Sequence, residues 1–146
     1  MLIDTHAHFY LKEFGDDLKD CIQRCKDNGV IQVLMPNVDL ESIDCMHTLE
    51  DRNSTFLKSM MGVHPCYVKK GYQKKLNACK NLFQKRNYCA VGEVGIDLYW
   101  DKSTLNIQKD AFRQQILWAK ELGKPIVIHA RESFPEIFQI IAEEND

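Results

Sequence analysis

The sequence has no long hydrophobic run, no strong net charge and no paired CxxC motif among its 146 residues. No apolar stretch approaches the roughly 18 residues that a membrane span needs, and Asp4 interrupts the N-terminus too early for a signal peptide. Lys and Arg sum to 19 against 21 for Asp and Glu, a formal net charge of −2. A polyanion would therefore be held by local contacts and not by a global basic field. We expect a soluble, cytoplasmic protein with no membrane partner.

The six cysteines lack the spacing of a metal cluster or of a disulfide framework. Most of them fall within apolar patterns, which favours reduced thiols in a cytosolic protein. A zinc cluster built from Cys21, Cys25 and a distant histidine is the less favoured alternative.

Short apolar runs typical of β-strands recur about every 30 residues, the length of one βα unit. The sequence contains no linker and no low-complexity segment. Strands that alternate with helices indicate a parallel sheet, so we predict an α/β fold in one domain or part of one. The predicted strands are Leu2–Ile3 leading to His8, Val30–Met35, Leu57–Val63, Cys89–Val94 and Pro125–Ala130.

Between these runs the apolar spacing changes to that of amphipathic helices. The first helix is expected to end at Gly29 and the fourth at Gly123, since glycine is favoured just beyond a helix end. Ser133 is predicted to cap the fifth helix, with Phe134, Ile137, Phe138 and Ile141 on its apolar face. The apolar residues that indicate the first four helices run from Leu18 to Cys25, Leu40 to Leu49, Leu76 to Phe83 and Phe112 to Ala119.

Polar residues follow several predicted strands at their carboxyl ends, where active sites of parallel α/β folds lie. His6 and His8 are two residues apart, so on a strand their imidazoles would project from one face. Glu93 lies in a glycine-containing segment, and His129 ends an apolar strand. Taken singly, these could be ordinary polar residues at a strand end, a turn acid and a core histidine. Together they predict a divalent metal site.

Imidazole and carboxylate donors suit Zn²⁺ or Mn²⁺, with Mg²⁺ less natural on imidazole alone. Such an ion can activate water and polarise a phosphoryl or carbonyl oxygen, which implies hydrolysis. Arg131 could bind a phosphate in bidentate fashion, or pair with Glu132 or Asp97. His64, restrained by Pro65, is predicted to contact substrate, or to stabilise a turn, and not to ligate the metal.

Three further residues are separate from the predicted metal site. Tyr99 and Trp100 could stack on a base or a sugar, or cap the core. His47 is predicted to be solvent exposed on a helix.

Four segments resemble, in order and spacing, the TatD-like metal-dependent deoxyribonucleases of the amidohydrolase superfamily. They are Asp4-Thr5-His6-Ala7-His8, Gly62-Val63-His64-Pro65, Gly92-Glu93-Val94-Gly95-Ile96-Asp97 and Ile128-His129-Ala130-Arg131. The resemblance implies a TIM-like (β/α)₈ barrel and hydrolysis of DNA phosphodiesters, commonly from the 3′ end.

The resemblance also implies roles for individual residues. His6 and His8 would ligate a first metal ion, Glu93 would bridge two ions and act in catalysis, and His129 would ligate the second. His64 and Arg131 would contact substrate phosphate. The cofactors would be one or two divalent ions, Mg²⁺, Mn²⁺ or Zn²⁺.

The sequence departs from the family in length and in detail. About five of the eight βα units are present, and a further His and an Asp that the family uses have no counterpart. Cys66 and Glu132 stand where the family has His and Asp. We therefore expect residues 1–146 to form one metal-dependent hydrolase domain, incomplete at its C-terminus, either as a truncation or as a short form that self-associates through open barrel edges.

Two other functions remain open at this point. An amidohydrolase could use the same metal ions to attack a carbonyl group in a cyclic amide or an ester. Alternatively, the chain could be a non-catalytic half-barrel that binds metal without turnover.

Overall fold

Five strands alternate with five α-helices along the part of the chain that the structure describes. The computed structural model describes residues 1–145. The strands are β1 (Leu2–Asp4), β2 (Val30–Met35), β3 (Leu57–Ser59), β4 (Val91–Asp97) and β5 (Ile126–Arg131). The helices are α1 (Leu18–Asp27), α2 (Ile43–Arg52), α3 (Tyr72–Leu82), α4 (Leu105–Leu122) and α5 (Phe134–Glu144). The predicted α/β class is confirmed.

All strand pairs are parallel. β2 lies between β1 and β3, and β4 pairs with β5. A single parallel bridge between Met61 and Val91 connects the two groups. Because every strand runs in the same direction, the segments that follow β1, β3, β4 and β5 meet at one edge of the structure, and this edge carries the polar motifs.

The core lies between the strands and the helices that cover them. Every residue of β4 is buried, and α4 packs along this strand with Phe112 and Ile116 among its buried side chains. Helix α4 ends at Leu122, and Gly123 after it has a left-handed φ of +60°. The glycine that the sequence pattern places after the fourth helix therefore makes the turn toward β5.

The two outer strands are less buried than the sequence suggests. The apolar run Ile126–Val127–Ile128 predicts a strand covered on both faces, but these residues of β5 are half-buried. Within residues 1–145, β5 pairs only with β4, and β1 pairs only with β2. Leu2 is 60% exposed on β1. An outer strand with one neighbour keeps part of its surface in water.

Helix α5 differs from its prediction in two ways. Ser133 does not cap the helix with its side chain. Its hydroxyl instead donates a hydrogen bond of 2.6 Å to the Ile96 carbonyl, which joins the helix start to β4. Phe138 is 65% exposed, and its ring stacks on that of the exposed Phe134. Ile137 and Ile140 are the buried residues of this helix.

His47 is half-buried, contrary to the predicted exposure. Its Nε2 atom lies 2.8 Å from the hydroxyl of Tyr88, a fully buried residue. The sequence pattern of α2 contains no sign of this partner, which lies 41 residues further along the chain.

Gly95 allows β4 and β5 to approach each other at the site. Its φ is +140°, and a Cβ atom at this position would lie 2.1 Å from the carbonyl oxygen of His129. Only glycine combines this backbone conformation with so close a contact. Gly95 therefore sets the distance between the strands that carry Glu93 and His129.

Candidate metal centre

The polar side chains predicted from the sequence meet where β4 and β5 run beside the segment that follows β1. Glu93 is the third residue of β4 and His129 the fourth of β5, so neither residue ends its strand as the sequence pattern suggests. β1 ends at Asp4, so His6 and His8 follow the strand instead of lying on it. The backbone continues beside β2, since the Ala7 amide donates to the Leu34 carbonyl. The Nε2 atoms of the two histidines still converge, at 3.2 Å.

Glu93 lies at the centre of the cluster and is buried. Its Oε2 atom is 3.0 Å from His6 Nε2 and 3.4 Å from His8 Nε2. Its Oε1 atom is 2.9 Å from His129 Nδ1 and 3.7 Å from His64 Nε2. The two carboxylate oxygens thus face two different pairs of histidines.

These side chains form two groups of possible ligand atoms. One group is His6, His8 and Glu93, and the other is His64, Glu93 and His129. Within each group the atoms lie within 4.8 Å of one another. The structure therefore brings together His6, His8, Glu93 and His129, the four ligands predicted from the sequence, and adds His64 beside the second group.

Hydrogen bonds to the far side of each ring indicate which nitrogen is free to bind a cation. His8 Nδ1 lies 3.1 Å from the Pro36 carbonyl, which can only accept, so Nδ1 carries the proton and Nε2 is left as a ligand. His129 Nε2 lies 2.9 Å from Asp97 Oδ2, which leaves Nδ1 facing Glu93.

His64 has the opposite arrangement. Its Nδ1 atom accepts a hydrogen bond from the Cys66 amide at 3.1 Å. The neutral ring therefore carries its proton on Nε2, the atom that faces His129 at 3.0 Å and Glu93. This tautomer makes His64 a hydrogen-bond donor at the site, in keeping with the substrate contact predicted for it.

Asp97 and Tyr10 contact site residues although the sequence does not predict them as part of the site. The Tyr10 hydroxyl lies 2.9 Å from His8 Nδ1 and also donates to the Pro36 carbonyl. Asp97 ends β4, four residues after Glu93, and a carboxylate at the end of that buried strand is the signal that could have identified it.

The electrostatics of the cluster favour an ionised Glu93, a charged His129 and a neutral His64. Burial alone would raise the pKa of the Glu93 carboxyl, but hydrogen bonds with His129 and His8 outweigh it and lower the pKa overall. Burial likewise opposes a charged His129, yet Glu93 and Asp97 raise its pKa. Burial lowers the pKa of His64 to about 4.

The chemistry of this donor set fits a divalent cation. Imidazole nitrogens and carboxylate oxygens converge from three parts of the chain, and the two carboxylates bring negative charge into a largely buried place. A cation between such lone pairs satisfies them together, and the hydrogen bonds on the far side of His8 and His129 fix the rings for it.

Arg131 lies at the rim of the cluster, exposed to solvent. Its guanidinium lies 3.6 Å from the centre of the Tyr99 ring and 5.6 Å from that of Trp100. Glu132, which the sequence offers as an ion-pair partner of Arg131, instead has its Oε2 atom 3.6 Å from Lys102 Nζ. Trp100 is 72% exposed and Tyr99 50%, so neither ring caps the core.

Within the described part of the chain, the cysteines form no metal site and no helix could span a membrane. All six cysteines are free thiols, and neither group of possible metal ligands within residues 1–145 includes Cys21 or Cys25. None of the described helices has the length and apolar character needed to cross a bilayer.

The sequence of residues 3–146 matches the model of a protein family described as TatD related DNase. The metal-dependent hydrolase YabD of Bacillus subtilis is 35% identical over 145 residues, which cover 99% of this chain and 56% of YabD. TatD of Pantoea ananatis, named a 3′–5′ ssDNA/RNA exonuclease, is 26% identical over 132 residues, 90% of this chain and 51% of that protein. The chain spans about half the length of these curated relatives.

Solved structures have a similar fold. The crystal structure of YjjV, a TatD homologue from Escherichia coli, superimposes with a TM-score of 0.89 at 25% identity, over 99% of this chain and 56% of YjjV. A TatD-family hydrolase from Entamoeba histolytica superimposes with a TM-score of 0.77 at 21% identity, over 99% of this chain and 54% of that one.

Proposed function

The chain belongs to the TatD-related DNase family, and from this premise we propose that it contributes the metal centre of a hydrolase that cleaves DNA phosphodiesters from the 3′ end. One observation carries the proposal: the two oxygens of Glu93 face separate histidine groups, with His6 and His8 on one side and His129 on the other. A carboxylate in this position can bridge two cations. Relatives named as metal-dependent hydrolases and as an exonuclease support the same chemistry.

The proposed ligands follow from the free ring nitrogens. His6 Nε2, His8 Nε2 and Glu93 Oε2 would hold one divalent ion, and His129 Nδ1 and Glu93 Oε1 a second. When bound, such ions polarise the phosphoryl oxygen and lower the pKa of water to the range where it attacks at neutral pH. Mn²⁺ and Zn²⁺ suit the imidazole ligands, and Mg²⁺ is the less favoured cofactor.

The remaining site residues orient the ligands and the substrate. Asp97 holds His129 in the tautomer that frees Nδ1. His64, with its proton on Nε2, donates a hydrogen bond to a phosphate oxygen at the same place. Arg131 presents the edge of its guanidinium to the phosphate while Tyr99 supports its face.

We further propose that residues 1–146 form one hydrolase domain that corresponds to about five of the eight βα units of a TIM-like barrel. The five parallel strands and the likeness to YjjV support this. The outer strands β1 and β5 would then be the places where further strands or a second copy of the chain pair.

A nuclease assay tests the proposed function. The purified chain is incubated with 3′-labelled single-stranded DNA and Mn²⁺, Mg²⁺ or Zn²⁺, with EDTA and Glu93→Gln as controls. We expect release of mononucleotides that needs metal and that Glu93→Gln abolishes. Metal binding without release favours a non-catalytic metal-binding role, and turnover of a cyclic amide without release of nucleotides favours the carbonyl chemistry of other amidohydrolases.

A further inference from the structure

Two exposed aromatic rings lie next to the metal centre. Tyr99 and Trp100 lie two and three residues after the end of β4 and are 50% and 72% exposed, while the other tryptophan, Trp118, is 4% exposed. Leaving adjacent aromatic rings in water forgoes the stabilisation of burying them. Their position beside a hydrolytic centre points to a binding role.

The aromatic pair is fixed to the metal centre by one carboxylate. The amides of Tyr99 and Trp100 both donate to Asp97 Oδ1, at 3.0 and 3.4 Å. The other oxygen of Asp97 contacts His129 Nε2 at 2.9 Å. Asp97 therefore ties the backbone that carries the two rings to His129.

Arg131 adds a positive charge to the same surface. Its guanidinium lies over the Tyr99 ring, and the Tyr99 and Trp100 rings meet at 88° with their centres 4.8 Å apart. Because the two rings meet edge to face instead of stacking on each other, ring surface remains for a ligand. Cation and aromatic faces together are the combination that single-stranded nucleic-acid sites use.

A cleft of about 480 Å³ opens beside Trp100. It lies between the segment after β3 and the segment after β4, and Asp97 forms part of its wall. The exposed Lys69 places a second cation on its border. A volume in this range suits a ligand of nucleotide size. The cleft is also lined by Cys66, Tyr67, Gln108 and the acidic Asp101.

We propose that Trp100 and Tyr99, with Arg131, form a stacking surface for an unpaired nucleobase next to the phosphodiester held at the metal centre. This inference rests on the proposed function. Arg131 binds the phosphate, and the adjoining base enters the cleft and stacks on Trp100. A base that is paired in a duplex cannot turn onto this surface, so the surface selects single-stranded ends.

Tryptophan fluorescence tests the stacking without any cleavage. With EDTA present, a short single-stranded oligothymidylate should quench the emission of the wild-type chain, because a base that stacks on Trp100 quenches the exposed indole. In Trp100→Phe the remaining emission comes from the buried Trp118 and should not change. Quenching of equal size in Trp100→Phe, or no quenching of the wild type, overturns the proposal.

The affinity for a labelled oligonucleotide measures how much the stacking on Trp100 contributes to binding. Trp100→Ala should weaken binding by about 5- to 150-fold, the range measured for loss of one base–aromatic stack, and Trp100→Phe should recover part of it. Phe138→Ala, an exposed aromatic residue on α5, is the matched control and should bind as the wild type does. An oligonucleotide with an abasic 3′ end should bind the wild type as weakly as a normal end binds Trp100→Ala. Equal binding by Trp100→Ala and wild type overturns the proposal.

The two proposals fail in different ways. If the wild type shows Trp100-dependent quenching but no metal-dependent cleavage, the stacking surface stands and the hydrolase proposal fails. If cleavage depends on metal and on Glu93 while Trp100→Ala keeps the wild-type KM on single-stranded DNA, the hydrolase stands and the stacking surface is wrong.

Discussion

Asp97 connects two parts of the site through its two carboxylate oxygens. One oxygen contacts His129, and the other accepts the amides of Tyr99 and Trp100. Burial alone would raise the pKa of Asp97, but these contacts lower it overall, which keeps the side chain ionised. Its role is to position His129 and the rim, with no direct contact to the reacting atoms.

Asp97→Asn should lower the affinity for metal while it changes the melting temperature of the metal-free protein little. The amide can still accept from the backbone, but it no longer holds His129 with a charge, and loss of such a partner costs about 10- to 100-fold in metal affinity. Calorimetric titration with Mn²⁺ measures the affinity, and the melting temperature with EDTA serves as the control. Unchanged metal affinity would mean that His129 does not need Asp97.

His47 gives the stability a pH dependence that is separate from the metal centre. Burial, followed by the nearby charge of Arg86, lowers the pKa of His47 in the folded protein below its ordinary value of about 6.5. On acidification the unfolded chain takes up this proton first. The contribution of His47 is therefore present above about pH 6.5 and is lost as pH falls through the folded-state value.

His47→Gln should therefore lose less unfolding free energy than the wild type between pH 7.5 and pH 5.5. Urea unfolding at several pH values with EDTA measures this, and the site histidines cancel in the comparison because both proteins contain them. Parallel curves for the two proteins would show that His47 is not the group responsible.

The ligands could be predicted from the sequence because their signal is local. His6 and His8 are close in the chain, and Glu93 and His129 each end an apolar run. The residues that fix these ligands could not be predicted so readily. Pro36 lies 28 residues from His8, and Asp97 lies 32 residues from His129. Only the fold brings such distant partners together.

At the level of the elements, periodicity located the five strands and five α-helices of residues 1–145, but it fixed neither all of their ends nor their surroundings. The five strands occur where the apolar runs indicate, and the helices differ mainly at their ends. Helix α5 is the exception in orientation, since Phe134 and Phe138 are exposed. Four apolar residues at helical spacing define a face, but only the packing against α4 and β4 decides which of them are covered.

Two substitutions on α5 test this orientation. Ile140→Ala should cost about 2–4 kcal/mol of unfolding free energy, because Ile140 is fully buried and its truncation leaves a cavity. Phe138→Ala should change it by less than about 0.5 kcal/mol, since the ring is exposed. Denaturant unfolding measures both values. A larger loss of unfolding free energy for Phe138→Ala than for Ile140→Ala would show that α5 buries the opposite face.

At the scale of the whole molecule, the charge distribution limits how the proposed DNA substrate would be held. The formal net charge is −2, so affinity must come from a few cations near the site, with Arg131 and Lys69 the ones that border the stacking surface and its cleft. This arrangement suits the engagement of a strand end more than the tracking of a long backbone.

DNA binding should therefore depend only weakly on salt. Two or three neutralised phosphates on a single strand give a slope of log K against log [salt] of about −1.4 to −2. Anisotropy titrations of a labelled single strand over a range of KCl concentrations measure this slope. A slope steeper than about −5 would require an extended basic surface, in contradiction to the charge distribution.

The bridging position of Glu93 is tested most directly by crystals grown with Mn²⁺ and measured for anomalous scattering. The geometry predicts two manganese peaks about 3.5–4 Å apart, one beside His6 and His8 and the other beside His129, with one oxygen of Glu93 on each. A single peak, or peaks that do not contact Glu93, would contradict the two-cation centre proposed for this chain.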